Sequence, residues 1–241
     1  MKINFHVDQN YLLLHTLKSS GDNCFSSDKY TNDIVALQNL AWKINKNIYH
    51  MLTGKFNIEQ IIDMNIDGIT LGIKNFFIDI KKSKEFYKIL LQTRSYAKFC
   101  KNQWIKKFNY TEKIIGNLSG IVLNKNFDIY ITHPNLKNGE LFENNIIGWG
   151  HHEEWKNYTT IYVWHEIMHA YIPQTKVGHA VIQLLIDNEL KTLLNGGTYP
   201  PFIGHKDLFK IMNKLLPYWE IYKKSKNKDI IKFIESVVYK F

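Results

Sequence analysis

The stretch WHEIMHAY, residues Trp164–Tyr171, constrains the fold of this chain more than any other feature. It lies in a segment with helical spacing of apolar residues, from about Thr159 to Ile172, which Pro173 brings to an end. Residues four apart share one face of a helix, so His165 and His169 project together. Two imidazole nitrogens are then within reach of one metal ion.

Glu166 follows His165 and therefore lies about 100° around the same helix. That angle carries its carboxylate away from the plane of the two histidines but leaves it within reach of a water on the metal. A zinc ion lowers the pKa of such a water toward about 7. A carboxylate can then take the proton and later deliver it to a leaving amine. The HExxH pattern thus predicts one zinc ion per chain, with Glu166 as general base.

Catalytic zinc takes three protein ligands, so a third one has to be found. Glu189 comes twenty residues after His169, and His179 comes ten after it. On a regular helix Glu189 shares its face with apolar residues, where a carboxylate would be costly unless paired or on a metal. Asp187 points nearly the opposite way, where it predicts an exposed pair with Lys191. Glu189 is favoured on this pattern, and His179 stays open as the alternative.

Helical periodicity dominates the first part of the chain, and β-forming segments follow it. Val177 to Leu194 predicts a helix after the HExxH segment, closed by Gly196 and Gly197. Two further helices are predicted toward the C-terminus, separated near Pro217. The remaining predicted elements are helices over Ile34–Met51 and Phe86–Phe108, a hairpin of Gly120–Asn124 with Phe127–His133, and a strand over Ile146–His151. Helices, then a small sheet, then helices predict the α+β class.

No apolar run of signal-peptide type opens the chain, and no 18 apolar residues run together. We therefore expect a cytoplasmic protein without a membrane span. Cys24 and Cys100 lie far apart and outside any CxxC spacing, so they predict reduced thiols rather than a disulfide or a zinc knuckle. Oligomeric state leaves no signal in the sequence.

The net charge of +9 raises the question of a nucleic-acid partner. Arg94 is the only arginine, and every other fixed positive side-chain charge is a lysine. Planar bidentate recognition of phosphate or guanine favours arginine, so nucleic acid is only weakly supported. A solvated lysine surface is the favoured interpretation.

The ligand motifs resemble those of the gluzincins, the thermolysin-like and aminopeptidase-like zinc peptidases. HExxH is followed by Asn188-Glu189 on the next predicted helix, with nineteen residues between His169 and Glu189. The resemblance covers roughly Phe127 to Leu194. It implies His165, His169 and Glu189 as zinc ligands, Glu166 as general base and a peptide or protein substrate. It also implies an upstream edge strand along the substrate cleft, either Phe127–His133 or Ile146–His151.

The same resemblance implies a zincin-like fold, with a small mixed sheet next to the HExxH helix and additional N- and C-terminal helices. We expect a single unit over residues 1–241, in which 1–115 is mostly helical and 116–241 carries the sheet and the catalytic helix. Gluzincins also place a Tyr or His downstream as the donor to the oxyanion. His205 is preferred here over Tyr199, with Tyr218 and Tyr222 further along.

WHEIMHAY followed by Gly178-His179 is also similar to SprT-like proteases, whose third ligand is a later histidine. That resemblance implies His179 as ligand and a protease acting on DNA-attached proteins. The expected function is therefore a zinc metallopeptidase of gluzincin type, with the SprT-like protease as alternative. A further alternative is an interaction protein in which zinc only staples two helices.

Overall fold

The computed structural model describes residues 1–18, 29–55 and 71–239. These residues combine several helices with a small mixed sheet, so the α+β class is confirmed. They form two compact units, each assembled from separated stretches of chain. The first contains Ile3–Lys101 and Asp128–His152, and the second contains Met1–Lys2, Asn102–Phe127 and Glu153 onward. The prediction of one zincin-like unit over residues 1–241 stays a prediction.

The first unit contains the N-terminal helices and the sheet. Buried leucines of the first helix pack with apolar residues of the following helices, among them Leu37 and Phe86. Leu37 and Phe86 belong to the two periodic patterns that predicted helices in this part of the chain, whereas the first helix was not predicted. The elements in this part of the chain are β1 (Ile3–His6), α1 (Gln9–Lys18), α2 (Lys29–Lys55), α3 (Leu71–Lys81), α4 (Lys84–Ser119), β2 (Phe127–Ile131), β3 (Asn138–Phe142) and β4 (Ile146–Gly150). Residues of α4 from Asn102 onward belong to the second unit.

The sheet has the strand order β1-β2-β4-β3. Strand β4 pairs in parallel with β2, where Ile129 faces Ile147, and antiparallel with β3. The predicted strand at Ile146 is confirmed, but the predicted hairpin is wrong, because residues 120–126 form no strand and β2 pairs with distant segments. The implied edge strand is also wrong for both candidates. Both β2 and β4 are interior, and the edges are β1 and β3.

The second unit holds the HExxH segment and all that follows it. Its helical elements are α5 (Tyr158–His169), α6 (Lys176–Ile182), a π-helix (Gln183–Leu190), α7 (Lys191–Asn195), α8 (Phe209–Lys224) and α9 (Ile230–Val238). The predicted break near Pro217 is wrong, since Pro217 lies inside α8 and the helices separate only after Lys224. Cys100 is buried with a free thiol, and Cys24 lies outside the described residues.

Candidate metal centre

Helix α5, which carries His165 and His169, is held in place by aromatic packing, a buried hydrogen bond and a cap at its N-terminus. Trp164 is fully buried, and its ring is tilted against that of Trp104 with 5.1 Å between the ring centroids. Its indole N–H donates to Thr111 Oγ1 at 2.7 Å. The N-terminus is capped by Glu153, whose carboxylate accepts the Thr159 N–H at 2.8 Å. A helix that is apolar on nearly every face packs as a core element. The motif therefore lies on the rigid helix that its spacing predicts.

Helix α6 begins immediately after a tight turn, and Gly178 makes that turn possible. Thr175 caps the helix by accepting the Gly178 N–H at 3.0 Å. A Cβ atom on Gly178 would lie only 2.0 Å from the carbonyl oxygen of Pro173. Only glycine fits such a close backbone approach. Because the turn is this tight, the next residue, His179, arrives beside the histidines of α5.

Three imidazoles meet in the second unit, those of His165, His169 and His179. One ligand nitrogen from each lies within 4.8 Å of the others, and the pairwise ring centroids are 4.8 to 5.2 Å apart. The Nε2 atoms of His165 and His179 are separated by 3.2 Å. Two nitrogens held tetrahedrally at about 2.0–2.1 Å from one zinc ion lie roughly 3.3 Å apart. The separation of this one pair, His165 and His179, therefore fits zinc.

Asp187 supports His165 from behind. Its Oδ1 lies 2.9 Å from Nδ1 of His165, and both side chains are buried. A proton on Nδ1 donates to this carboxylate and leaves Nε2 free to face the other imidazoles, an arrangement typical of zinc-bound histidines. The Oδ2 atom is buried with no hydrogen-bond partner among the described residues. A buried carboxylate is costly without a nearby cation, and a metal ion on His165 would supply one.

The pKa values of the imidazoles agree with a ligand role. Burial, reinforced by the neighbouring imidazoles, lowers the pKa of His169 to about 3 and that of His179 to about 4. Both rings are therefore neutral at physiological pH, with lone pairs available for a metal. Burial also disfavours a charged His165, but the Asp187 carboxylate outweighs it and the pKa of His165 is raised.

Glu166 is buried, with 9% of its surface exposed. It follows His165 on α5, and its negative charge contributes to raising the pKa of that histidine. A buried carboxylate therefore lies near His165 without belonging to the group of mutually close ligand atoms. Its role as general base stays a prediction.

The π-helix corrects the expected positions of two carboxylates. Asp187 was expected to be exposed beside Lys191, but it is completely buried, and the Lys191 ammonium lies 4.9 Å above the ring of Trp155. The physical reason is the i→i+5 hydrogen bonding of Gln183–Leu190, which adds a residue to each turn. Side-chain directions derived from the ordinary helical step are therefore displaced along this segment.

Glu189 occupies a different polar cluster from the one expected. Its Oε2 atom lies 2.8 Å from the Lys223 ammonium and accepts a hydrogen bond from the Tyr199 hydroxyl. The Tyr199 oxygen in turn accepts the indole N–H of Trp219 at 3.0 Å. Glu189 therefore contacts Tyr199 and Lys223 rather than the histidines. The third side chain that lies with His165 and His169 is that of His179.

His205 is brought to the imidazole group without being one of its closest members. Its ring centroid is 5.0 Å from that of His179 and 6.3 Å from that of His165. The residue is exposed and precedes the short 3₁₀ turn Lys206–Leu208. A solvent-accessible imidazole therefore lies at the side of the buried cluster. The role of His205 as oxyanion donor stays a prediction.

Two residues of this centre had weak sequence signals. Asp187 is a carboxylate within an otherwise apolar stretch, a signal that was present but assigned to the wrong face. Gly178 precedes a histidine near a helix start, and a glycine there indicates a close backbone approach only once the turn is known.

Comparison of the chain with models of protein families, with curated proteins and with solved structures found no match in any of the three. Over the ranges that the structure describes, no helix is both long enough and apolar enough to cross a membrane.

Proposed function

We propose that this chain is a zinc-dependent hydrolase that cleaves peptide bonds. The observation that carries the proposal is the convergence of His165, His169 and His179, with the buried Glu166 next to His165 on the same helix. Three histidine nitrogens leave one position of a tetrahedral zinc ion for water or substrate. A zinc ion held there would polarise the scissile carbonyl and lower the pKa of a water toward about 7.

The residues of the chain then have separable roles. Asp187 holds the His165 tautomer and orientation through Nδ1. Glu166 accepts the proton of the attacking water and delivers it to the leaving amine. His205, exposed at the side of the cluster, donates a hydrogen bond to the oxyanion that develops on the carbonyl oxygen.

The test of the proposed reaction is Glu166→Gln, assayed for zinc content and for cleavage of an unfolded protein substrate. We expect about one zinc ion per chain in both proteins, and a rate lower by roughly 10²–10⁴-fold in the variant, because the base is gone while the ligands remain. The control is Glu154→Gln, because Glu154 is exposed and lies outside the imidazole group, so this variant should keep both zinc and activity. An active Glu166→Gln protein would refute the assignment.

Between the two resemblances, the ligand geometry favours the SprT-like pattern, in which a later histidine is the third ligand. That pattern adds a DNA-bound protein as substrate, and the net charge of +9 is compatible with it. Duplex DNA binding whose affinity falls steeply with salt would support this substrate. Binding that is absent at low salt would leave a peptide or free protein as the substrate.

A zinc staple without catalysis is the competing function, and the position of His205 favours it. A fourth imidazole next to His179 could complete a closed tetrahedral site of the structural type. Titration with a hydroxamate inhibitor separates the two functions. An open site binds the inhibitor in the wild type, whereas a staple binds it only after His205→Ala.

A further inference from the structure

The π-helix assigns a different task to each of three consecutive residues. Asp187 lies against His165 and Glu189 against Tyr199 and Lys223. Between them, Asn188 is almost completely buried and directs its side chain to the loop that carries His205. The first and third of these contacts hold, respectively, a candidate ligand and the beginning of the 199–205 loop.

Asn188 binds the loop backbone on both sides of a single residue. Its Oδ1 accepts the Ile203 N–H at 3.0 Å, and its Nδ2 donates to the Ile203 carbonyl at 3.1 Å. The same Nδ2 donates to the Gln183 carbonyl at 2.8 Å, which ties the side chain to its own helix. A side-chain amide that pairs with both backbone groups of one residue fixes the position and the direction of the chain there.

Gly204 continues this contact toward His205. Its φ of +117° lies in a region that favours glycine, and a Cβ atom would lie 2.6 Å from Gln183 Oε1 and 2.9 Å from Asp187 Oδ2. The loop backbone therefore rests directly on the side chain that supports His165. Two residues after the Asn188 contact, His205 arrives beside His179.

We propose that Asn188 is a positioning residue that holds His205 at the metal centre by clamping Ile203. The inference rests on the proposed function, because it assigns a purpose to the placement of His205. Whether or not a ligand is bound, the contacts of Asn188 with Ile203 hold the loop that leads to His205 in place. No contact between Asn188 and a metal ligand is required.

The experiment compares zinc-loaded wild type with Asn188→Ala, His205→Ala and the double variant. Asn188→Ala should raise the hydrogen-exchange rate of the Ile203 amide roughly tenfold, as expected for the loss of one net hydrogen bond. The ring signals of His205 should shift in the NMR spectrum. Zinc affinity should stay within about threefold in Asn188→Ala, because a loss of about 10–100-fold is expected only when a residue that directly orients a ligand is removed, and Asn188 contacts none of the three imidazoles.

Activity adds an independent measurement. We expect Asn188→Ala and His205→Ala to lower kcat by a similar factor, roughly 10²–10³-fold for a lost oxyanion donor, and the double variant to lose no more. Additive losses would overturn the positioning role. So would an Ile203 amide that exchanges as slowly as in the wild type together with unchanged His205 signals.

Two further variants keep the result decisive. Asn188→Asp keeps the size and the acceptor of the Ile203 N–H but loses both donated bonds, so it should show an intermediate exchange rate and should fold if Asn188→Ala does not. Asn195→Ala removes side-chain bonds to Asn157 and to the Lys156 carbonyl near the end of α7, and should leave His205 unchanged. If wild type hydrolyses no peptide, the proposed function fails, and the exchange and NMR results still decide the clamp.

Discussion

Helix α5 and the π-helix serve the candidate centre in two different ways. Helix α5 presents His165, Glu166 and His169 themselves, on a straight helix held by aromatic packing. The π-helix contributes no residue to the imidazole group. Its Asp187 contacts His165, and its Asn188 contacts the loop that carries His205. Helix α5 therefore carries candidate ligands, whereas the π-helix carries residues that contact and orient the groups around them. We therefore expect loss of a ligand histidine to change the zinc content, whereas substitutions in the π-helix should change zinc affinity or the free energy of unfolding.

The largest effect on zinc content should come from removing the third ligand, for which His179 and Glu189 are the two candidates. We expect His179→Ala to lose the zinc ion after refilling and dialysis, because two histidines alone do not make a zinc site. Glu189→Ala should keep about one zinc ion per chain, since its carboxylate pairs with Lys223. Bound metal is measured in dialysed protein of both variants.

The matched control is His50→Ala, an exposed histidine in the first unit, which should keep zinc. The reverse result, with zinc lost from Glu189→Ala and kept in His179→Ala, would transfer the third ligand to the π-helix. The π-helix would then carry a metal ligand itself, as helix α5 does.

A smaller effect is expected behind His165. Asp187→Asn keeps the size of the side chain but removes the buried negative charge that orients Nδ1. Loss of such an outer carboxylate weakens metal affinity about 10–100-fold without removing the site. Competition with a chromophoric zinc chelator measures the change, and exposed Asp79→Asn serves as control. Equal affinity in Asp187→Asn would show that the π-helix does not tune the metal.

The smallest effect belongs to the Glu189 cluster. Glu189→Gln removes the charge opposite a partly buried Lys223, which should lower the free energy of unfolding by about 1 kcal/mol while zinc affinity stays constant. Urea unfolding of the zinc-loaded protein measures it. Glu220→Gln is the control, since Glu220 pairs with the same lysine at 2.9 Å but is far more exposed. A Glu189→Gln protein that releases zinc would place this residue at the metal after all.

Local spacing explains why α5 could be predicted. Every residue of the HExxH motif lies on one regular helix, so positions four apart fix the common face of His165 and His169. The capping and the packing of Trp164 only hold that helix in place. The position of Glu166 next to His165, on which its proposed role as general base rests, follows from the same local geometry.

Regular helical spacing predicts the wrong side for Asp187 because the segment around it is not a regular helix. The sequence of this segment, QLLIDNEL, contains no residue pattern that distinguishes i→i+5 from i→i+4 hydrogen bonding. Strand pairing was misjudged for a related reason. The Phe127 segment has β-forming composition, but its partners, β1 and β4, are chosen by packing between residues distant in sequence.

Local patterns in the sequence are enough to predict the α+β class, the helix that carries His165, Glu166 and His169, and both residues from which a third ligand could come. They do not predict that His179 joins the two histidines, that Asp187 contacts His165, or that Asn188 reaches the His205 loop. These contacts differ from the predicted features in the range of the interactions that produce them. Periodicity within one helix is local, whereas the approach of α6 through Gly178 and the turn of the π-helix depend on packing against the rest of the unit.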